Sequence, residues 1–167
     1  MPNWSELVRE ISQLGSPFDV LRRKYILQLS NYTKRNVICY YSGWLQKPEL
    51  QEAVAVNDTD KNGFMTTING LDISKGLDLV LHTPGGDTAA TESIVDYLWS
   101  KFSGDVRCFV PQMAMSAGTM IACASKRILM GKHLPGIGLN QVYEQNSVPQ
   151  LANVKAALTD LASEAAK

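Results

Sequence analysis

The chain has 167 residues, 45% of them hydrophobic, enough for one domain with a buried core. Its 16 Lys and Arg residues balance 16 Asp and Glu residues for a formal net charge of +0, which excludes a general electrostatic pull toward nucleic acid or anionic lipid. Three cysteines, Cys39, Cys108 and Cys123, are too few and too scattered for a disulfide framework or a zinc cluster; they suit free thiols in a reducing compartment, packed as small apolar residues.

The opening residues set Glu6, Arg9, Glu10 and Asp19 among apolar positions, so they hold neither a signal-peptide core nor a membrane span. No other stretch offers about 18 consecutive apolar residues, and the expectation is a cytoplasmic protein without a transmembrane anchor. Trp4, Leu7, Val8, Ile11 and Leu14 recur at helical spacing until Gly15, Ser16 and Pro17 break the run, and a second helix is predicted over 18–32. Asn36–Tyr41 is β-branched and aromatic and reads as a buried strand, closed by Ser42 and Gly43. Residues 48–56 suggest a short helix, and 57–63 a polar loop.

From Gly76 the pattern sharpens. Leu77–His82 reads as a strand, 83–86 as a turn, and Thr88–Phe102 as an amphipathic helix with Ala90, Ile94, Leu98 and Phe102 along one face. A second strand over 106–111, a helix over 116–124 and a third strand at Arg127–Met130 repeat the plan. That order predicts an α/β fold with a largely parallel sheet. In 148–167, Leu151, Val154, Leu158 and Leu161 are spaced for a terminal helix.

Two motifs fall at the carboxyl ends of predicted strands, where open α/β sheets place their ligand sites. The first is HTPGGD at 82–87. Pro84 sets its own φ, while Gly85 and Gly86 allow backbone N–H groups to approach a ligand oxygen, as one half of an oxyanion hole requires. Its plainer reading is a strand-to-helix turn with Asp87 as a cap. The second is MAMSAGT at 113–119, which sets the Ser116 hydroxyl among small residues at a helix start, with the Ala117 amide free to donate; the plainer reading makes Ser116 an N-cap. Two weaker motifs carry little. Asp58, Asp60, Asn62 and Gly63 match the first half of a calcium loop, but Asn69 stands at the twelfth position, where a bidentate Glu is required. Gly136 and Gly138 lack the third glycine of a dinucleotide fingerprint and read as loop.

Together HTPGGD at 82–87, PQMAMSAGTMIA at 111–122, MGKH at 130–133 and YYSGW at 40–44 resemble the serine dehydrogenase proteinase family. That family is similar to signal peptide peptidase and to the proteolytic subunit of Clp protease, within the Clp/crotonase superfamily. The resemblance spans about residues 30–133. It implies a crotonase-like ββα superhelix divided into an N-terminal helical segment (1–35), a core (36–133) and a divergent helical tail (134–167). It further implies a serine peptidase-like hydrolase that cleaves peptide bonds through an acyl-enzyme on Ser116, with Gly85, Gly86 and Ala117 as the oxyanion hole. The substrate would be a peptide or unfolded protein, the assembly a homo-oligomer, and neither cofactor nor metal is implied.

A serine nucleophile needs a proton acceptor, and relatives use a Ser-Lys dyad or a Ser-His-Asp triad. The candidates are Lys155, 39 positions after Ser116, His133 after the third strand, and His82 before the glycine turn. Where the family continues after Gly-Lys-His with Ser-x-Leu-Gly-Pro-Ile-Asp-Pro-Gln, this chain has LPGIGLNQ at 134–141. Asn140 stands near the place of the aspartate and cannot accept a proton as a carboxylate does. The expectation is a C-terminally truncated, divergent or degenerate member. The alternatives are a catalytically impaired assembly or interaction subunit of the same superfamily, and crotonase-type acyl-CoA chemistry, against which a serine at 116 argues.

Overall fold

The structure, a computed structural model, describes residues 4–13, 17–50, 53–130 and 136–138. Two helices open it, α1 (Trp4–Ser12) and α2 (Pro17–Thr33). Strand β1 (Asn36–Tyr41) follows, then a 3-10 turn at Pro48–Leu50, helix α3 (Asp58–Ile68) and strand β2 (Leu77–His82). Helix α4 (Thr88–Phe102), strands β3 (Val106–Val110) and β4 (Met113–Met115), helix α5 (Ala117–Cys123), and strands β5 (Arg127–Met130) and β6 (Gly136–Gly138) complete it.

Four strands form one parallel sheet in the order β1-β2-β3-β5, and β4 pairs in parallel with β6 in a second, two-stranded sheet. Mixed α/β order with a parallel sheet is thus the architecture expected from the alternating pattern. Leu77, Leu79 and Leu81 of β2 are fully buried, and Ala90, Ile94, Leu98 and Phe102, the four residues that spacing puts on one face of α4, are all buried in the same core. This is the packing that an amphipathic crossover helix requires.

Four local expectations need correction. The segment read as polar loop, 57–63, contains the start of α3: the Asn57 side chain accepts from the Thr59 amide at 2.9 Å, the Asp60 carboxylate accepts from the Asn57 amide at 2.9 Å, and buried Phe64 and Ile68 anchor the far turns. A polar run that begins a capping box belongs to the helix. Within the expected short helix over 48–56 the described residues form a 3-10 turn at Pro48–Leu50, and Val56 pairs with Gly86. Gly136–Gly138, read as loop, is a strand on β4. The expectation that all cysteines pack inside fails at Cys123, which is exposed; Cys108 is buried, Cys39 half-buried, and all three are free thiols. The predicted helix within 148–167, with its Leu151, Val154, Leu158 and Leu161 face, lies outside the described residues. Among the described residues no helix is long and apolar enough to cross a membrane.

At the amino ends of the strands, Asp78 is fully buried and receives Arg107 in a two-point contact (2.7 and 2.7 Å) and Arg35 Nε at 2.8 Å. Burial pushes the Asp78 carboxyl up, but hydrogen bonds from Arg107 and Arg35 outweigh it and hold it below the usual carboxylate range. A depressed folded value means that the contribution is complete above the unfolded value of about 4 and fades as pH falls through the folded one. Asp78→Ala leaves Arg107 without its carboxylate partner, while Arg35 keeps Asp105 at 2.7 Å, and is expected to cost about 3 kcal/mol. Thermal unfolding across pH 2 to 7 should show Asp78→Asn lacking part of the parent's acid-side loss of stability.

Candidate active site

Beyond β2 the chain does not simply turn into α4. Thr83, fully buried, forms a parallel bridge with Ala114: its amide donates to Met113 O at 3.3 Å and its carbonyl accepts from the Met115 amide at 3.0 Å. The Thr83 hydroxyl accepts from the Gly85 amide at 3.2 Å, curling the backbone so that Gly85 takes φ +103°, which favours glycine. A Cβ on Gly85 would stand 2.7 Å from Ser116 Cβ, 2.7 Å from Met115 O and 3.1 Å from the Ala117 amide nitrogen. The glycine turn and the serine corner are therefore in direct backbone contact. The two sequence motifs meet in space.

The next residues are pinned from the other side. Val56 donates to Gly85 O at 2.8 Å and accepts from the Asp87 amide at 2.9 Å. In a parallel bridge this leaves the N–H and C=O of Gly86 directed to the opposite edge. Among the described residues the Gly86 and Ala117 amides have no hydrogen-bond partner. Asp87 is the helix cap of the plainer reading, its carboxylate accepting from the Ala90 amide at 2.7 Å.

Ser116 joins β4 to α5 with φ 51° and ψ −116°, one of three non-glycine residues with positive φ among the described residues. Such a conformation costs on the order of 1–3 kcal/mol and persists only where its surroundings impose it. Here β4 is held by Thr83 and β6, while the Ser116 carbonyl accepts from the Thr119 (2.8 Å) and Met120 (3.2 Å) amides and the Thr119 hydroxyl donates to Ala114 O at 2.9 Å. A Cβ on Gly118 would fall 2.5 Å from Thr83 Cγ2, so the small residues after the serine let α5 sit directly on the turn. Ser116 occupies the N-cap position, yet its side chain makes no capping hydrogen bond. The helix-cap explanation of this serine is thereby set aside.

His82 is 5% exposed and stacks on Tyr41 (ring centroids 4.9 Å apart) and Trp44 (6.3 Å). Burial pushes its pKa down, against a backbone hydrogen bond at Met113 that raises it, and its Nε2 has no partner among the described residues. His133, Lys155 and Asn140 lie outside the described residues. The structure thus brings Ser116, Gly85, Gly86 and Ala117 together and does not describe the two downstream base candidates. Sequence reasoning missed Val56 and Thr83. A hydroxyl two residues before Gly85 is a readable turn signal, whereas Val56 pairs 30 positions away and leaves no local trace.

A strained serine between a strand and a helix, resting on a Gly-Gly turn, has the geometry of a strand-to-helix elbow. Comparison with known proteins gives the family. The model of ClpP-like SDH-type serine proteinases matches residues 22–158, and the chain belongs to that family. Two uncharacterized proteins of Methanocaldococcus jannaschii are similar to it. One is 26% identical over 160 residues, covering 86% of this chain and 55% of its own length. The other is 39% identical over 57 residues, covering 34% of this chain and 19% of its own. The chain thus spans about half, or less, of the curated relatives it matches.

Proposed function

We propose that this chain is a serine peptidase-type hydrolase in which the Ser116 hydroxyl attacks a peptide carbonyl and forms an acyl-enzyme. The observation that carries the reading is the conformation of Ser116: a strained backbone, a side chain not spent on capping, and Gly85 pressed against it. Strain at a residue with no capping duty is the kind of outlier from which a functional role is inferred. The oxyanion formed on attack is received by the amides of Gly86 and Ala117. Because the Gly85 amide donates to Thr83, the part of Gly85 in the oxyanion hole is the close approach that its missing side chain permits. An extended substrate segment lies along the free edge of the glycine turn, by strand addition. The proton acceptor is His133 or Lys155, since His82 is buried and stacked.

We place the enzyme in the cytoplasm as a homo-oligomer acting on peptides or unfolded proteins. Free thiols support the compartment, and the exposed Leu129 (37%) and Met130 (51%) at the end of β5 support a contact between copies. The test is hydrolysis of a labelled casein by the purified chain, together with light scattering at micromolar concentration. Hydrolysis blocked by a fluorophosphonate is the expected result. A folded chain that leaves casein intact would favour the assembly-subunit reading.

A further inference from the structure

Val56 is 1% exposed and bonded in both directions to the glycine turn, and a Cβ on Gly86 would come within 2.3 Å of its backbone N and O. The turn can therefore be no better placed than Val56 is. Val56 immediately precedes the capping box of α3, where Asp60 Oδ2 accepts from the Asn57 amide at 2.9 Å. An ordinary capping box serves only its own helix. Here the same Oδ2 also accepts from the Tyr40 hydroxyl at 2.9 Å, and Tyr40 belongs to β1, its ring tilted against Phe64 with centroids 5.3 Å apart. A continuous path runs from the sheet through Tyr40 and Asp60 to the Asn57 amide, then to Val56, then to Gly85 and Asp87.

We propose that Asp60 is a positioning residue for the oxyanion turn: it ties the start of α3 to β1 and so fixes Val56, whose two hydrogen bonds set the direction of the Gly86 amide. This rests on the hydrolase reading for its catalytic consequence and not for its structural one. In this role Asp60 acts through Val56 and not on the reacting atoms. Its removal loosens the turn, and misplacement of a catalytic group by about 1 Å can cost on the order of a hundredfold in rate. Asn at position 60 keeps an oxygen that accepts from both Tyr40 and Asn57, so it should rescue what Ala loses.

The experiment compares the full chain with Asp60→Ala, Asp60→Asn and Tyr40→Phe. Amide hydrogen exchange at Val56 and Asp87 should quicken about tenfold or more in Asp60→Ala, less in Tyr40→Phe and little in Asp60→Asn, with the Cys108 amide in β3 unchanged. Phosphonylation by the fluorophosphonate and kcat on a peptide should fall about tenfold or more in Asp60→Ala while KM stays within about twofold, and Asp60→Asn should stay near the parent. Unchanged exchange at Asp87 in both Asp60→Ala and Tyr40→Phe overturns the proposal, as does a KM rise with kcat preserved. If the parent itself does not react with the fluorophosphonate, the hydrolase reading fails and exchange alone decides the positioning role.

Discussion

Ser116→Gly is expected to abolish hydrolysis and at the same time raise the melting temperature. The hydroxyl is the proposed nucleophile, and removing such a group typically costs several powers of ten in rate. The backbone at 116 sits at φ 51°, where any Cβ is strained and glycine is not. Relief of about 1–3 kcal/mol, offset by about 0.5–1 kcal/mol of extra chain entropy in the unfolded state, leaves a net gain of about 1 kcal/mol, or about 2–4 °C for a domain of this size. Ser116→Ala is the companion: equally inactive, but without the gain, because its Cβ keeps the strain. Residual rate and thermal unfolding of the two variants separate the effects. An active Ser116→Ala would remove Ser116 from the mechanism.

Gly85→Ala should also damage activity, less severely and for a different reason. Its methyl would press on Ser116 Cβ and Met115 O, each at 2.7 Å, from a residue at φ +103°. The left-handed backbone costs about 1–2 kcal/mol and the overpacking about 1–3 kcal/mol more. The serine corner must shift, and a loss of about a hundredfold in rate is expected. Gly86→Val differs again. A substituent there strikes the Val56 backbone at 2.3 Å, so the variant should lose stability together with activity, whereas the motif alone suggests a folded, inactive protein. Hydrolysis rates and melting temperatures of both variants check this. A Gly85→Ala protein with parental activity would mean that contact between the turn and Ser116 is unnecessary.

The bounds of β1, β2, β5 and α4 follow directly from the sequence because each is marked by local signals: short apolar runs bounded by Gly, Ser or Pro-Gly turn residues, and a four-residue apolar face on α4. α3 was hidden because its cap lies within a run of Asn, Asp and Gly that also suits a loop, and its two anchoring residues, Phe64 and Ile68, come late. β4 and β6 are three residues each and exist only through their pairing, which no short window contains. The same holds for the site. Ser116 and the two glycines are visible as motifs, since a hydroxyl among small residues and a Gly-Gly turn are local features. Their mutual contact, the strain at Ser116 and the clamp formed by Val56, Asp60 and Tyr40 arise from residues far apart in the chain.

The central claim is that Ser116 is a nucleophile backed by an oxyanion site, and covalent labelling tests it most directly. The 167-residue chain is incubated with a fluorophosphonate, digested, and the modified peptide located by mass spectrometry, with Ser116→Ala treated in parallel. The account predicts one adduct, on Ser116, absent from the variant and slowed by Gly85→Ala. A folded parent chain that acquires no adduct, or acquires it on another serine, would contradict it.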